Sequence, residues 1–354
     1  MRKTGTIKHQ TMELGIDMFG DLASQSGEKL QSTGERLRQL MEEVKLMDEV
    51  GLDFFGIGEH HREEYAVSVP EIILAGAATI TNNIKLGSAV SVLSSSDPVR
   101  LYQSFATIDQ ISNGRAELVA GRGSFIESFP LYGYDLDDYN ELFDEKLALL
   151  VKINNENPIT WKGKLRPALN HQLILPRATN DHLRIWVAVG GTPESVVRAA
   201  SHGLPVVFAI IGGQPAQFKP LFDYYRAAYR QFGHDMRKFE VGLHMHAIFG
   251  EESQRMADEY FPSYSKQMDK VGKERGWPPY QRSQFDAGRR KEGALIIGDA
   301  SEATDKILYV HEMFGLTRFS AHMDVGAPSH QSLMKSIEIY GTKIAPAVRA
   351  ALKK

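Results

Sequence analysis

The sequence predicts a single α/β domain, a (β/α)8 barrel with insertion loops, in which eight parallel strands close on themselves inside a ring of helices. Short apolar, β-rich runs alternate with longer runs of helical period through nearly the whole chain. The alternation counts eight strand-helix units, the number that closes such a barrel. No conventional glycine-rich dinucleotide fingerprint follows the first strand, which weighs against an open doubly wound sheet. A length of 354 residues suits a barrel that carries insertions.

The elements follow in order. Residues 12–18 read as the first strand, and 34–50 as a helix with Leu37, Leu40, Met41, Val44 and Met47 on one face. Residues 54–57 are a second strand. The helix over 70–81 begins at a proline, which suits a first helical position. Residues 85–93 form a third strand, and 98–111 a second proline-led helix. The Asn113-Gly114 turn leads into a fourth strand over 116–120. After a helix near 139–153 come strands over 183–189, 206–210 and 239–249, followed by helices over 193–202, 218–232 and 251–271. An eighth strand over 318–323 precedes a closing helix over 329–350. Residues 161–181 read as a polar connection. Residues 272–292, rich in charge, glycine and proline, read as an insertion that could act as a lid. The barrel domain is expected to span 12–354, behind a tail of residues 1–11.

Composition narrows the chemistry. The chain has no cysteine, so disulfides, thiolate nucleophiles and zinc-thiolate sites are excluded. A net charge of -3 gives no reason to expect nucleic acid or an anionic membrane as partner. The first residues are polar and basic and lack the apolar core of a secretory signal. No apolar run approaches the roughly 20 residues of a membrane span. A cytoplasmic location is expected.

A barrel of this kind carries its chemistry at the C-terminal ends of its strands. That places Glu59-His60-His61, Ser94-Ser95-Ser96-Asp97, Gly121-Arg122-Gly123-Ser124, Gly190-Gly191-Thr192 and Gly212-Gly213-Gln214 at the working face. His244 and His246 share one face of the seventh strand, and His322 and Asp324 one face of the eighth. Gly190-Gly191-Thr192 runs into a helix led by Pro193, so backbone N–H groups lie beside the positive end of a helix dipole. Gly212-Gly213 repeats the pattern one unit later, and the pair reads as a phosphate cradle. Arg122, between two glycines, can clamp a phosphate or form a rim salt bridge. His60 can act as acid, base or hydrogen-bond donor, or be structural. Small residues in Gly87-Ser88-Ala89-Val90 let a flat ring lie against the third strand or simply fill a barrel layer.

These residues, in this order, resemble the bacterial-luciferase-like flavin-dependent monooxygenases. The resemblance is carried by GLDFFGIGEHH, by IKLGSAVSVLSSSDPVRLYQSFATIDQISNGRAELVAGRGSF, by YGYD, by IWVAVGGTPESVVRAASHGLP and by RFSAHMDVGAPSHQSLMKSIEIYGTKIAPAVR. It implies FMN as cofactor or reduced cosubstrate, a separate NAD(P)H-dependent flavin reductase, O2, and a small organic substrate. His60 matches the family histidine that stabilises the reactive flavin oxygen adduct. Arg122 matches the arginine on the flavin phosphate. Ala89-Val90 matches a strand position that is often a non-proline cis peptide against the isoalloxazine ring. Val189, Gly190, Gly191 and Thr192 occupy the phosphate-loop position, with Gly212-Gly213 as its second half. Gly121 stands where luciferases carry a reactive cysteine, which argues against light emission. Phe19, Tyr65, Ser68 and Phe125 are expected walls of the substrate site, and a homodimer is expected through the helices over 70–81 and 98–111. Three alternatives stay open: a deazaflavin-dependent oxidoreductase, a flavoprotein without oxygenase activity, and a metal-dependent hydrolase using the clustered histidines.

Overall fold

Period-2 alternation decides which side chains enter the barrel. On β1 (Glu13–Met18), Leu14, Ile16 and Met18 join the apolar core, while Glu13 and Asp17 take polar partners within the barrel. The computed structural model describes residues 12–23, 30–123 and 125–353. The expected tail 1–11, Ser124 and the last residue of the expected domain lie outside the described residues.

The other barrel strands are β2 (Phe54–Ile57), β3 (Lys85–Ser88), β4 (Ala116–Gly121), β5 (Arg184–Val189), β6 (Val206–Ala209), β7 (Val241–Phe249) and β8 (Arg318–His322). Each pairs in parallel with the next, and β8 returns to β1 with Asp17 beside His322, so the barrel is closed.

Charge fills the N-terminal end of the barrel. Arg318 bonds Glu13 and Glu117, at 2.5 and 2.6 Å, and its guanidinium lies between the rings of Phe54 and Trp186. Arg184 pairs with Glu13, Glu117 and Glu240. Burial works against the Glu13 charge, but Arg318, Arg184 and Lys85 outweigh it and hold its pKa down to about 2. This plug shuts one end, leaving the C-terminal end open for a site.

Local chemistry starts the helices. Ser32 caps Thr33–Glu49, which buries Leu40, Val44 and Met47 at helical spacing. Asp97 accepts from the N–H groups of Val99 and Arg100 at the start of Pro98–Ile111.

The structure departs from expectation in five places. The third strand does not run unbroken over 85–93: it stops at Ser88 and resumes as Ser91–Val92 after a cis Ala89–Val90 peptide. The connection over 161–181 contains part of a small antiparallel hairpin, Ile159–Trp161 with Leu169–Gln172. The insertion over 272–292 is ordered by the end of helix Ser253–Glu274 and by helix Arg282–Arg289, whose Phe285 is fully buried. A strand, Ile296–Gly298, and a helix, Ala300–Phe314, occupy a stretch to which the pattern assigned nothing. The closing helix is interrupted by a π turn at Tyr340–Ile344. Lys306 binds the insertion to helix Ala300–Phe314: its ammonium donates to the carbonyls of Gly288, Arg290 and Leu295.

Candidate active site

Two adjoining cavities open at the C-terminal end of the barrel. The inner one, about 250 Å³, lies within the barrel and takes lining residues from all eight strands, and the upper one, about 1110 Å³, lies beneath the 272–292 segment. Phe19, Phe125, Gly190, Ala209 and His244 line both.

Glycines open the inner cavity. A Cβ at Gly56 would lie 2.1 Å from Asp17 Oδ1, so only glycine lets β2 pass that close to β1. A Cβ at Gly121 would lie 2.4 Å from Val90 Cγ2. The cis Ala89–Val90 unit therefore excludes any side chain at Gly121, a cysteine included. Glu59 braces that unit: its carboxylate accepts from the Val92 N–H at 2.8 Å and pairs with His61 Nε2 at 2.9 Å.

His60 leaves the end of β2 and is fixed by its N–H on the Val67 carbonyl, 2.9 Å away. Its ring sits in an aromatic box, 4.5 Å from Phe19, 4.3 Å from Tyr65 and 5.0 Å from Phe125 between centroids. Its Nδ1 is buried without a partner. Burial, reinforced by His322, Arg62 and His61, pushes its pKa down to about 3, so it is neutral at physiological pH. Arg62 lies over the Phe125 ring and pairs with Glu127 and Glu274, tying the loops after β2 and β4 to the base of the upper segment.

Asp324, just beyond β8, has no exposed side-chain surface and organises the start of the upper cavity. It accepts the backbone N–H groups of Phe19, Gly20 and Asp21 and pairs with Arg36 at 3.4 Å, while His322 Nε2 lies 3.2 Å away. Burial opposes its charge, but His322, Arg36 and the Phe19 N–H prevail and bring its pKa to about 2. His244 on β7 pairs through Nδ1 with Asp17 on β1, and His246 Nδ1 with the Tyr264 hydroxyl. Sequence reasoning noted these histidines but not their partners, and it gave Asp17 no part. Among the described residues no three His, Asp or Glu side chains converge as metal ligands.

Of the expected site residues, His60, Ala89, Val90, Arg122, Val189 and Gly190 line the inner cavity. Tyr65, Gly212 and Gly213 line the upper one. Gly191 and Thr192 are exposed and line neither, although Thr192 opens helix Pro193–Ser201, which has no side-chain cap. Gly212-Gly213 leads into a 3-10 turn, Pro215–Phe218, before helix Lys219–Gln231, so the two glycine turns are not equivalent. Ser68 is exposed, two residues before helix Pro70–Ile80, and lines neither of these two cavities. Arg122 bonds Asn140 Oδ1 at 3.0 Å, stacks near Tyr139 and makes no ion pair with a carboxylate among the described residues. That leaves its positive charge available at the cavity mouth.

The buried histidines make stability depend on pH. Burial first, then neighbouring imidazoles, lowers the pKa of His246 and His322 as it does that of His60. Below the ordinary imidazole value of 6.5 the unfolded chain binds protons that the folded chain excludes. The contribution of His60 is therefore whole above pH 6.5 and is lost as pH falls from there toward about 3, and His246 and His322 act in the same direction. Denaturant unfolding at pH 7, 6 and 5 is expected to show this fall, and a flat profile would contradict it.

The sequence profile described as "Luciferase-like monooxygenase" matches residues 12–317. An uncharacterized protein of Sinorhizobium fredii, y4vJ, is 24% identical over 345 residues, covering 94% of this chain and 97% of that one. The alkanal monooxygenase alpha chain of Photorhabdus laumondii is 24% identical over 228 residues, 59% of this chain and 58% of its own. Among solved structures, monooxygenase RslO1 of Streptomyces bottropensis superposes with a TM-score of 0.82 at 22% identity, covering 95% of this chain and 99% of its own. The oxygenating constituent of 3,6-diketocamphane monooxygenase from Pseudomonas putida, solved with FMN, gives 0.75 at 19% identity, with 95% and 98% covered. The coenzyme F420-dependent tetrahydromethanopterin reductase of Methanopyrus kandleri gives 0.71 at 16% identity, with 95% and 99% covered, so the fold serves both flavins and deazaflavins. With the profile covering most of the barrel, the chain belongs to the luciferase-like family of flavin-dependent monooxygenases.

Proposed function

We propose that the protein binds reduced FMN in the inner cavity and uses O2 to oxygenate an organic substrate held in the upper one. The observation that carries this reading is the neutral His60, its Nδ1 unpartnered, set in an aromatic box where the two cavities meet.

The residues present fit a flavin. Glycines at 56, 87 and 121 clear a space bounded by Ala89 and Val90. Arg122 carries an unneutralised charge, and the N-terminus of helix Pro193–Ser201 lacks a side-chain cap. Ala89 and Val90 would hold the ring. Arg122 with Val189, Gly190, Gly191 and Thr192 would hold the phosphate, with Gly212-Gly213 adding a second turn. Bound reduced flavin supplies the electrons that activate O2. The protein's part is to orient, exclude water and manage protons. His60 offers a neutral imidazole that donates one hydrogen bond and accepts another. Phe19, Tyr65 and Phe125 form an apolar wall, and the 272–292 segment closes the chamber as a lid. Ile72, Ile80 and Ile111, exposed on or beside the helices after β2 and β3, support a homodimer through that face. A separate NAD(P)H-dependent reductase would supply the reduced flavin.

The test is turnover under 18O2 with externally reduced FMN and a substrate panel. One labelled oxygen in the product supports the reading. Hydride transfer to a deazaflavin without O2 uptake would favour the second reading, which the F420-dependent neighbour motivates. Arg122→Ala is expected to weaken FMN binding by about 10–100-fold, the worth of a charge-assisted hydrogen-bond pair, as read by calorimetry.

A further inference from the structure

His244 is buried on β7, and its Nδ1 pairs with Asp17 Oδ2 on β1 at 2.8 Å. It is the one titratable side chain, among the described residues, that lines both cavities. His60 lines the inner cavity alone and has no partner on Nδ1. A carboxylate on Nδ1 holds the proton on that nitrogen, which leaves Nε2 as a lone-pair acceptor. The same carboxylate balances the charge when Nε2 takes up a proton. The Asp17–His244 pair thus has the parts of a general base, at the boundary between the two chambers.

The upper cavity indicates what carries that proton. Phe19, Tyr65, Phe125, Phe218, Trp277 and Tyr280 face it. Its volume of about 1110 Å³ lies at the top of the range that holds one drug-sized ligand, and it adjoins the separate inner cavity. Aromatic faces on several sides favour a flat, multi-ring occupant over a short flexible chain.

We propose that His244, oriented by Asp17, is a catalytic base that deprotonates the hydroxyl of a bulky phenolic substrate in the upper cavity, an assignment that rests on the flavin occupying the inner one. The O–H bond breaks and its electron pair stays on the substrate oxygen. An Nε2–H bond forms, and the imidazolium pairs with the Asp17 carboxylate. The step consumes no oxidant. The phenolate it yields is the more electron-rich ring, the better acceptor of an electrophilic oxygen.

The test uses 7-hydroxycoumarin, whose phenol and phenolate absorb at different wavelengths, bound to the full chain with and without FMN. In the wild-type protein the bound probe is expected to ionise at least about one pH unit below the free probe, a tenfold gain in acidity. His244→Gln is expected to abolish that shift. Asp17→Asn, which keeps the side-chain shape, is expected to remove most of it and carries the test should His244→Gln fail to fold. A probe that does not bind, an unshifted ionisation in the wild type, or a shift that survives both substitutions overturns the assignment. FMN binding is measured on the same samples. An unshifted ionisation in the wild-type protein with FMN bound refutes the base alone, whereas a shift in the wild-type protein without FMN binding supports the base and refutes the flavin reading.

Discussion

Replacing His60 with alanine is expected to lower coupled oxygenation by about 10²–10⁴-fold, the usual worth of a positioned acid–base group, while FMN binding changes little. The ring lies within 4.3–5.0 Å of Phe19, Tyr65 and Phe125, so its removal leaves aromatic neighbours and takes away the imidazole that both donates and accepts a hydrogen bond. Oxygen would still be consumed, but released as hydrogen peroxide. The ratio of product formed to O2 consumed checks this, with peroxide assayed in parallel. Equal coupling in mutant and wild type would remove His60 from the reaction.

Asp324→Asn is expected to cost about 1–3 kcal/mol of folding stability, because it leaves buried donors short of an acceptor while Arg36 keeps its pair with Glu43. The substitution keeps the shape but takes away the charge that faces Arg36 and three backbone N–H groups. An amide would also turn an NH2 group toward some of those donors. The sign with pH follows from the depressed pKa: the carboxylate's contribution is whole above its unfolded value near 3.9 and is lost as pH falls toward 2. Denaturant unfolding at pH 7 measures the loss, and a change below about 1 kcal/mol would show that Phe19–Asp21 is held by other contacts. Because Phe19 contacts His60, the variant is also expected to loosen the aromatic box.

The barrel was legible because each strand carries its own local signal. Apolar runs such as those of β2 and β5, with turn residues between the strands, needed no knowledge of distant contacts. Helix Ala300–Phe314 was equally open to reading. Asp299 caps it, and Ala303, Ile307, Val310 and Phe314 recur at helical spacing. It went unread because a charged insertion separates it from the barrel strand β7 and only the three-residue strand Ile296–Gly298 precedes it. The hairpin at Ile159–Trp161 and Leu169–Gln172 is largely exposed and lacks apolar alternation, so no periodicity marks it. Within the candidate site, position at strand ends pointed to His60 and Arg122, and the family resemblance pointed to the Ala89–Val90 unit. Their supports were not. Asp17 pairs with His244 across 227 positions and Asp324 with Phe19 across 305, and such partners leave no trace in local pattern.

The inner cavity is proposed to hold FMN. Calorimetric titration of the purified protein with FMN, reduced FMN and a deazaflavin tests it most directly. One equivalent of FMN or reduced FMN, bound in preference to the deazaflavin and weakened by Arg122→Ala, is the expected result. Preference for the deazaflavin, or no flavin binding at all, would contradict it.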